Sequence, residues 1–463
     1  MSFGWLILFI MQKDFTERFR AALRIKTDWP GDAKTADGEA NLKRFQDFLA
    51  ESWPVFHKSA ERTVLSPYSI VYRWPGTVGG NGRTGAADKA PVLLIGHYDV
   101  VPAETVNWSV DPFGAELKDS FVYGRGALDM KHIIAAIMES TENLCKQGFK
   151  PSRDVWFAFG GDEERTGLKG AKEAANWFFG KGIKFSFILD EGTPVTKDQI
   201  KGIDVPLAMI GIEEKGYLSL NLTVEQKPGH ASQPPEEQAA SILSRALLRI
   251  SQRPFPWHLT SAVEAFFRQL SLHAPGTAGF AMKYSRLLGP LFFRAAAVSP
   301  STRALLRTTV AMTQLEGSAA DNVMPSAVRA VINMRLLPPW TVEKAIKRIK
   351  RIIADTRVGV TIKGLGTDPV EAGPEHAAQK SPGWREIKAA LGKAFPGVPV
   401  LPFLMVATTD SRHYLEQSRN IFRFNPLLLG PDELSLIHGH DERISIENLE
   451  LCLNFYTALL EQL

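Results

Sequence analysis

Apolar and polar positions follow two different periods along this chain, and the change of period divides it. Between 91 and 192, short apolar runs ("PVLLIGHYDVV", "DVWFAFGG", "FSFILDEG") are separated by stretches with helical spacing, "LDMKHIIAAIMESTENLCKQG" and "LKGAKEAANWFF". In the first of these stretches Met130, Ile133, Ile134, Ile137, Met138, Thr141 and Leu144 recur at helical spacing, which gives a helix one face to lay on a sheet. Strands without polar alternation, each followed by a helix, predict an α/β fold with a mostly parallel central sheet.

Near position 212 the pattern changes. "GYLSLNLTVEQ" alternates apolar and polar residues as a half-exposed antiparallel strand does, and a helix, "EEQAASILSRALLRI", follows it. "AVRAVINMRLLP" and "GVTIKGLG" read as strands around the amphipathic helix "TVEKAIKRIKRIIADT". This β-α-β-β-α-β outline predicts an inserted α+β sandwich domain over 212–365, interrupting a larger domain made of 1–211 and 366–463. Within the insert, 253–312 is rich in aromatics and Pro, too apolar for a linker, and reads as extra helices. The larger domain resumes with "PVLPFLMVATTDSRH" and ends on the helix "ENLELCLNFYTALLEQL".

Bulk properties narrow the chemistry. A chain of 463 residues, 44% hydrophobic and 22% charged, has material for two cores and excludes wholesale disorder. Its 54 basic and 50 acidic side chains leave a net charge of +4 without a basic block, which disfavours a nucleic-acid partner. Cys145 and Cys452 stand far apart and outside any Cys-x-x-Cys pair, so a metal would have to be held by His and carboxylate. The apolar run from Phe3 to Met11 falls short of the ~20 residues a bilayer span needs, and it lacks the flanks of a signal peptide. No membrane span and a cytoplasmic location are expected, with export left open by the apolar run and Met1 and Met11 both open as natural starts.

The polar residues that close these strands or open the next helix are His97 and Asp99 in "GHYD", Asp129 in "GRGALDMK", Asp162, Glu163 and Glu164 in "GGDEER", Asp190 and Glu191 in "LDEG", and His438 in "LIHGHDE". In a parallel sheet they converge on one rim. Two imidazoles among several carboxylates, without cysteine, suit zinc, manganese or cobalt better than calcium. Like charges crowded at a strand end need a cation, and two divalent ions sharing a carboxylate would supply it. "GRGALD" lacks the third glycine of a dinucleotide loop, and no Gly-x-Ser-x-Gly elbow occurs. His132, one turn after Asp129, reads as a helix-surface histidine, with a place flanking the site as the alternative, and His440 as a surface or supporting residue.

Taken in order, "GHYDVVP", "GRGALDMK", "DEG", "LLRTT", "DNVMP" and "TTDSRH" resemble the dinuclear zinc exopeptidase family that contains aminoacylase, glutamate carboxypeptidase, desuccinylase and carboxypeptidase S, nearest its carboxypeptidase S and N-acyl-amino-acid hydrolase branch. The resemblance runs from about residue 15 to the end. It implies a zinc-exopeptidase-like catalytic domain with an inserted lid or dimerisation domain, and two Zn²⁺ ions, with Mn²⁺ or Co²⁺ as substitutes. His97 and Asp190 would hold one ion, Glu164 and His438 the other, and Asp129 would bridge them, followed by a cis peptide to Met130. Asp99 would fix the tautomer of His97. Glu163 would be the general base, taking a proton from the attacking water and passing it to the leaving amine.

The same resemblance gives His230 in "PGHASQPP" the task of stabilising the oxyanion, in a homodimer if it acts across subunits. Asn322, Arg335 and Thr409 would hold the carboxylate or carbonyl of the substrate, a role that suits an Arg fork. "ATTD" replaces the Gly-Gly-Thr frequent in the family, which puts the geometry at Thr409 in doubt. The implied reaction is hydrolysis of N-acyl amino acids, with peptide carboxypeptidase or dipeptidase activity as the alternative and a metal-free binding protein as a third reading. The insertion, "LLGPLFF" above all, reads equally as plain core or as the lining of an acyl or side-chain pocket; the second makes long-chain or aromatic N-acyl amino acids the expected substrates, and the reversible reaction allows condensation.

Overall fold

The strands Val92–His97 and Val155–Gly160 are buried at every position, as strands covered on both faces must be. The structure, a computed structural model, describes residues 3–28, 36–77, 90–200, 202–318 and 320–463. These fall into two units: one of Met1–Ile212, Gly373–Pro402 and Thr409–Leu463, the other of Glu213–Ala372 with Phe403–Thr408.

The first unit is built on an eight-stranded sheet in the order Glu61–Ser66, Ser69–Trp74, Val155–Gly160, Val92–His97, Ile188–Thr196, Ile421–Leu429, Leu207–Glu214, Val400–Met405. The strands at its centre, from Val155–Gly160 to Ile421–Leu429, run parallel. Ser69–Trp74 and Glu61–Ser66 extend it as an antiparallel hairpin, ahead of the first strand that the apolar pattern marks. Register matters for function: His97 lies opposite Gly160, and Asp190 opposite Arg423. The residues that follow the ends of the parallel strands are thereby delivered to one edge.

The helix Lys131–Lys146 departs from its amphipathic reading, because it is buried nearly all round. It packs on the sheet, on the terminal helix Ile446–Leu460 and on the helix Phe3–Arg24. Several of its polar residues are therefore paired internally. Glu139 accepts from Arg18 and from the Trp53 indole at 2.7 to 2.9 Å, and Glu142 accepts from Phe56 N at 2.7 Å. His132, expected on a helix surface, is buried, with Nε2 2.9 Å from Asn425 Oδ1. Among the described residues no helix is long and apolar enough to cross a membrane.

The second unit has a four-stranded antiparallel sheet in the order Thr309–Glu316, Ala327–Leu336, Gly216–Glu225, Gly359–Ile362. Leu218, Leu220, Leu222 and Ile332 pack against Leu243 of the helix Ala239–Gln252 and Ile349 of the helix Val342–Ile353. The period-2 and period-3.6 patterns of these segments thus close one sandwich core. Helices occupy Ser261–Leu270, Gly276–Lys283, Ser285–Ala296 and Pro300–Leu306, after which the strand at Thr309 begins. "LLGPLFF" divides rather than lining a pocket as a whole: Phe292 is buried against Phe267, whereas Leu287 and Leu291 stand in solvent.

Two buried ionisable side chains hold this helical insertion to the segment that leads into the strand Gly216–Glu225. Lys215 Nζ donates to the carbonyls of Ala304 and Arg307, both at 2.8 Å, at the end of Pro300–Leu306 where a cation suits the helix dipole. Glu213 accepts from the hydroxyl of Thr260, which caps Ser261–Leu270, and from Ala372 N at 3.3 Å. Burial pushes the Glu213 carboxyl up to about 7. The folded state therefore holds a proton that the unfolded chain has lost, and this contribution to stability fades as pH rises from the ordinary glutamate value through 7. Glu213→Gln keeps an acceptor for Thr260 without the charge. The variant is expected to unfold like the wild type at pH 5 and to be more stable at pH 8 by up to about 3 kcal/mol, measured by urea unfolding at both pH values.

Candidate metal centre

His97 ends its strand with the ring buried, and its two nitrogens have different partners. Nδ1 lies 3.0 Å from the Asp99 carbonyl oxygen and 3.4 Å from Asp99 Oδ1. A proton on Nδ1 satisfies these acceptors and leaves the Nε2 lone pair for a ligand. Nε2 faces Asp129 Oδ1 at 3.0 Å and Glu191 Oε1 at 3.3 Å. The other oxygen of Asp129, Oδ2, lies 3.0 Å from His438 Nε2, which is also 3.1 Å from Glu164 Oε1. Asp129 therefore offers one oxygen to each of two imidazoles.

Several features hold these groups in place. Asp129 sits on the turn that opens Lys131–Lys146, and its peptide to Met130 is cis. The Asp99 carboxylate accepts from Glu163 N and Glu164 N, both at 3.1 Å, so one side chain orients His97 and the acidic turn together. Asp162 faces the other way, accepting from Lys169 N at 2.8 Å and Gly170 N at 2.7 Å. It shapes the turn. His438 adopts a left-handed φ of 61°. Its carbonyl accepts from Arg125 Nη2 at 3.2 Å, while Arg125 Nη1 is 2.6 Å from Glu442 Oε2. Glu442 Oε1 in turn accepts from Leu128 N at 2.7 Å, which links the His438 loop to the Asp129 turn.

Asp190 and Glu191, adjacent in an extended strand, point to opposite sides. The Asp190 carboxylate accepts from Glu191 N at 2.8 Å and Ser411 N at 2.9 Å, so Glu191 is the residue that meets His97. Gly192 lets the neighbouring strand approach, since a Cβ there would come within 2.4 Å of the Arg423 carbonyl carbon. The ligand atoms of His97, Asp129 and Glu164 lie within 4.8 Å of one another, as do those of His97, Glu163 and Glu191.

Charge is out of balance in this pocket. Burial, with Asp129 adding to it and His97 opposing it, pushes Glu191 up to about 8. Burial likewise drives Glu163 far up, against the charge of His97 and with that of Asp410, Glu191 and Glu164. For Asp129 the two imidazoles overcome burial and hold the carboxyl well below its usual range. Hydrogen bonds to Asp129 and Glu164 raise His438 to about 10. More carboxylates gather here than two imidazoles can neutralise. The donor set of imidazole nitrogens and carboxylate oxygens, spaced 3.0 to 3.3 Å apart, matches the edge of about 3.3 Å expected of a zinc tetrahedron.

The other residues singled out in the sequence have the following surroundings within their own units. His230 and Asn322 share a small ribbon of the second unit: Gly229–His230 pairs with Val323–Met324, and Ala231 N donates to the Asn322 carbonyl at 3.0 Å. His230 is exposed, with Nδ1 2.8 Å from Ser232 Oγ. Arg335 lies with its guanidinium 4.9 Å from the centre of the Tyr217 ring. Thr409, in the first unit, is buried, its Oγ1 2.6 Å from Ser411 Oγ and 3.4 Å from Arg423 Nε. His440 is exposed. Asp410, to which the sequence assigns no role, is buried, and neither carboxylate oxygen has a hydrogen-bond partner among the described residues.

Comparison with known proteins adds a family context. The profile of Peptidase family M20/M25/M40 matches residues 93–462. The Xenopus tropicalis protein named N-fatty-acyl-amino acid synthase/hydrolase PM20D1 is 34% identical over 97% of this chain and 86% of its own length. "Probable carboxypeptidase S-like 2" of Dictyostelium discoideum is 33% identical over 97% of this chain and 85% of its own. Among solved structures, the M20 family metallo-carboxypeptidase Sso-CP2 from Sulfolobus solfataricus superposes with a TM-score of 0.70 at 16% identity, covering 97% of this chain and 98% of that one.

Proposed function

Because the chain belongs to Peptidase family M20/M25/M40, we propose that it hydrolyses the amide bond of N-acyl amino acids whose carboxylate is free, using two divalent metal ions. As a member of that family it is a hydrolase of the metallopeptidase and amidohydrolase type. The observation that carries the metal reading is Asp129, whose oxygens each lie 3.0 Å from a different imidazole, as a bridging carboxylate requires. His97 and Glu191 would complete one site, and His438 and Glu164 the other. Glu191 replaces Asp190 in this assignment, because the oxygens of Asp190 already accept two backbone N–H groups. Zinc suits these donors, with manganese or cobalt as substitutes.

When bound, such ions polarise the substrate carbonyl and lower the pKa of water toward ~7. The chain's own groups then move the protons. Glu163 accepts one from the attacking water as its oxygen joins the carbonyl carbon, and hands it to the nitrogen as the C–N bond breaks. Asp99 keeps His97 in the tautomer that presents Nε2. His230 is the proposed oxyanion donor, and Asn322 and Arg335 the groups that receive the substrate's carbonyl and carboxylate. Thr409, buried beside Ser411, is better suited to steadying the Asp190 loop than to touching substrate.

The fatty-acyl hydrolase among the relatives favours a long acyl chain, and the carboxypeptidase S-like relative supports peptide hydrolysis as the second reading. A panel of N-oleoyl, N-lauroyl and N-acetyl amino acids and dipeptides separates the two. Long acyl groups are expected to lead by about tenfold or more in kcat/KM, and chelation should abolish turnover until zinc is restored. A preference for acetyl substrates sinks the fatty-acyl assignment, one for dipeptides moves the protein to the peptidases, and chelator-insensitive turnover sinks the metal reading.

A further inference from the structure

The helical insertion of the second unit carries apolar side chains on two sides. Phe266, Phe267 and Phe292 turn inward and are buried. Leu287, Leu291 and Val298, in contrast, are 83%, 69% and 85% exposed, and among the described residues no other large hydrophobic side chain exceeds Leu287 and Val298. Phe280 and Tyr284, exposed with ring centres 4.8 Å apart, precede them along the helices. Single exposed leucines are common, but a succession of them within two consecutive helices is not.

Basic residues alternate with these positions along the chain, on both sides of a kink at Gly289 (φ 42°). Lys283, Arg286 and Arg294 are all exposed, and between 253 and 307 seven Lys and Arg side chains face one acid, Glu264. The segment thus carries +6 in a chain whose total is +4, which leaves the rest at −2. Of these cations Lys283, Arg286 and Arg294 flank Leu287 and Leu291 in the chain, Arg286 also pairing with Glu264 at 3.1 Å, while Arg307 lies over the Trp257 ring.

We propose that this face docks on an anionic phospholipid bilayer, with the tips of Leu287, Leu291 and Val298 entering the boundary between headgroups and acyl chains and Lys283, Arg286 and Arg294 meeting the anionic headgroups. Apolar side chains flanked by Lys and Arg bind membranes in this way, lying in the interface without spanning it. A second copy of the chain is a poorer occupant, because it would set one strongly basic face against another. The docking surface is independent of the reaction proposed above, since it concerns where the protein sits and uses none of the metal-centre residues.

Sedimentation of the full-length protein with vesicles tests it. At low salt the protein should bind vesicles of three parts phosphatidylcholine to one part phosphatidylserine at least about tenfold better than pure phosphatidylcholine, and high salt should release it. Leu287→Ser/Leu291→Ser should lower binding to the anionic vesicles about tenfold, and Lys283→Gln/Arg294→Gln should remove the preference for them. Both variants should keep wild-type turnover of a soluble N-acetyl amino acid, which shows that they fold. No binding to anionic vesicles, or binding that neither variant weakens, overturns the proposal. A change from dimer to monomer in the leucine variant, without vesicle binding, would assign the face to a second copy instead.

Discussion

Replacing Glu163 with Gln is expected to lower kcat by ~10² to 10⁴ while leaving the metal content of the protein unchanged. The side chain lies in the buried pocket with His97 and Glu191, and its backbone N–H is held by Asp99. Gln has nearly the same volume, so the turn and the Asp99 contact persist. What it lacks is an oxygen that takes up a proton, so the attacking water stays protonated and the leaving amine receives nothing. KM should change little, because substrate contacts are assigned to other residues. Steady-state kinetics on an N-acyl amino acid, with metal analysis of the same preparation, reads both quantities. Retained turnover would remove Glu163 from proton transfer, and a simultaneous loss of metal would make it a ligand.

The acidic turn shows how far sequence reasoning reaches. Strands that run parallel deliver their carboxyl ends to one edge, so His97, Asp129, Glu164 and His438, widely spaced in the chain, could be expected together from pattern and motif order alone, and they do meet. The choice between Asp190 and Glu191 was not legible. In an extended strand one of two neighbours must face the pocket, and which one does depends on the register with Ile421–Leu429 and on the backbone N–H of Ser411, neither visible in "LDEG".

The misreading of His132 has a similar cause. A helix covered on one side by a sheet should be amphipathic, but the helices Phe3–Arg24 and Ile446–Leu460, distant in sequence, cover the other side of Lys131–Lys146. Tertiary context also decided the insertion. Its composition announced helices, yet only the packing of Phe292 on Phe267 shows which apolar residues are core and which remain in water. Thr409 was matched to substrate through its motif, and its burial between Ser411 and Arg423 is a property of the folded loop.

Metal occupancy should fall in a graded series across the carboxylates of the centre, and this is the second large effect the geometry demands. Wild-type protein loaded with zinc and desalted should retain two ions per chain. Asp129→Asn should lose both, because it alone presents an oxygen to each of His97 and His438 at 3.0 Å. An amide can turn only one oxygen toward a cation, and it carries no charge to offset two. Glu164→Gln and Glu191→Gln should each lose one ion, from opposite ends of the centre, with turnover lost in both. Asp190→Asn should keep both ions, since its oxygens serve Ser411 N and Glu191 N, while misplacing Glu191 enough to lower metal affinity or activity by ~10- to 100-fold. Inductively coupled plasma measurement of the five proteins decides the assignment. An Asp190→Asn protein with one ion beside a Glu191→Gln protein with two would return the ligand role to Asp190, and an Asp129→Asn protein that kept both would end the shared-carboxylate reading.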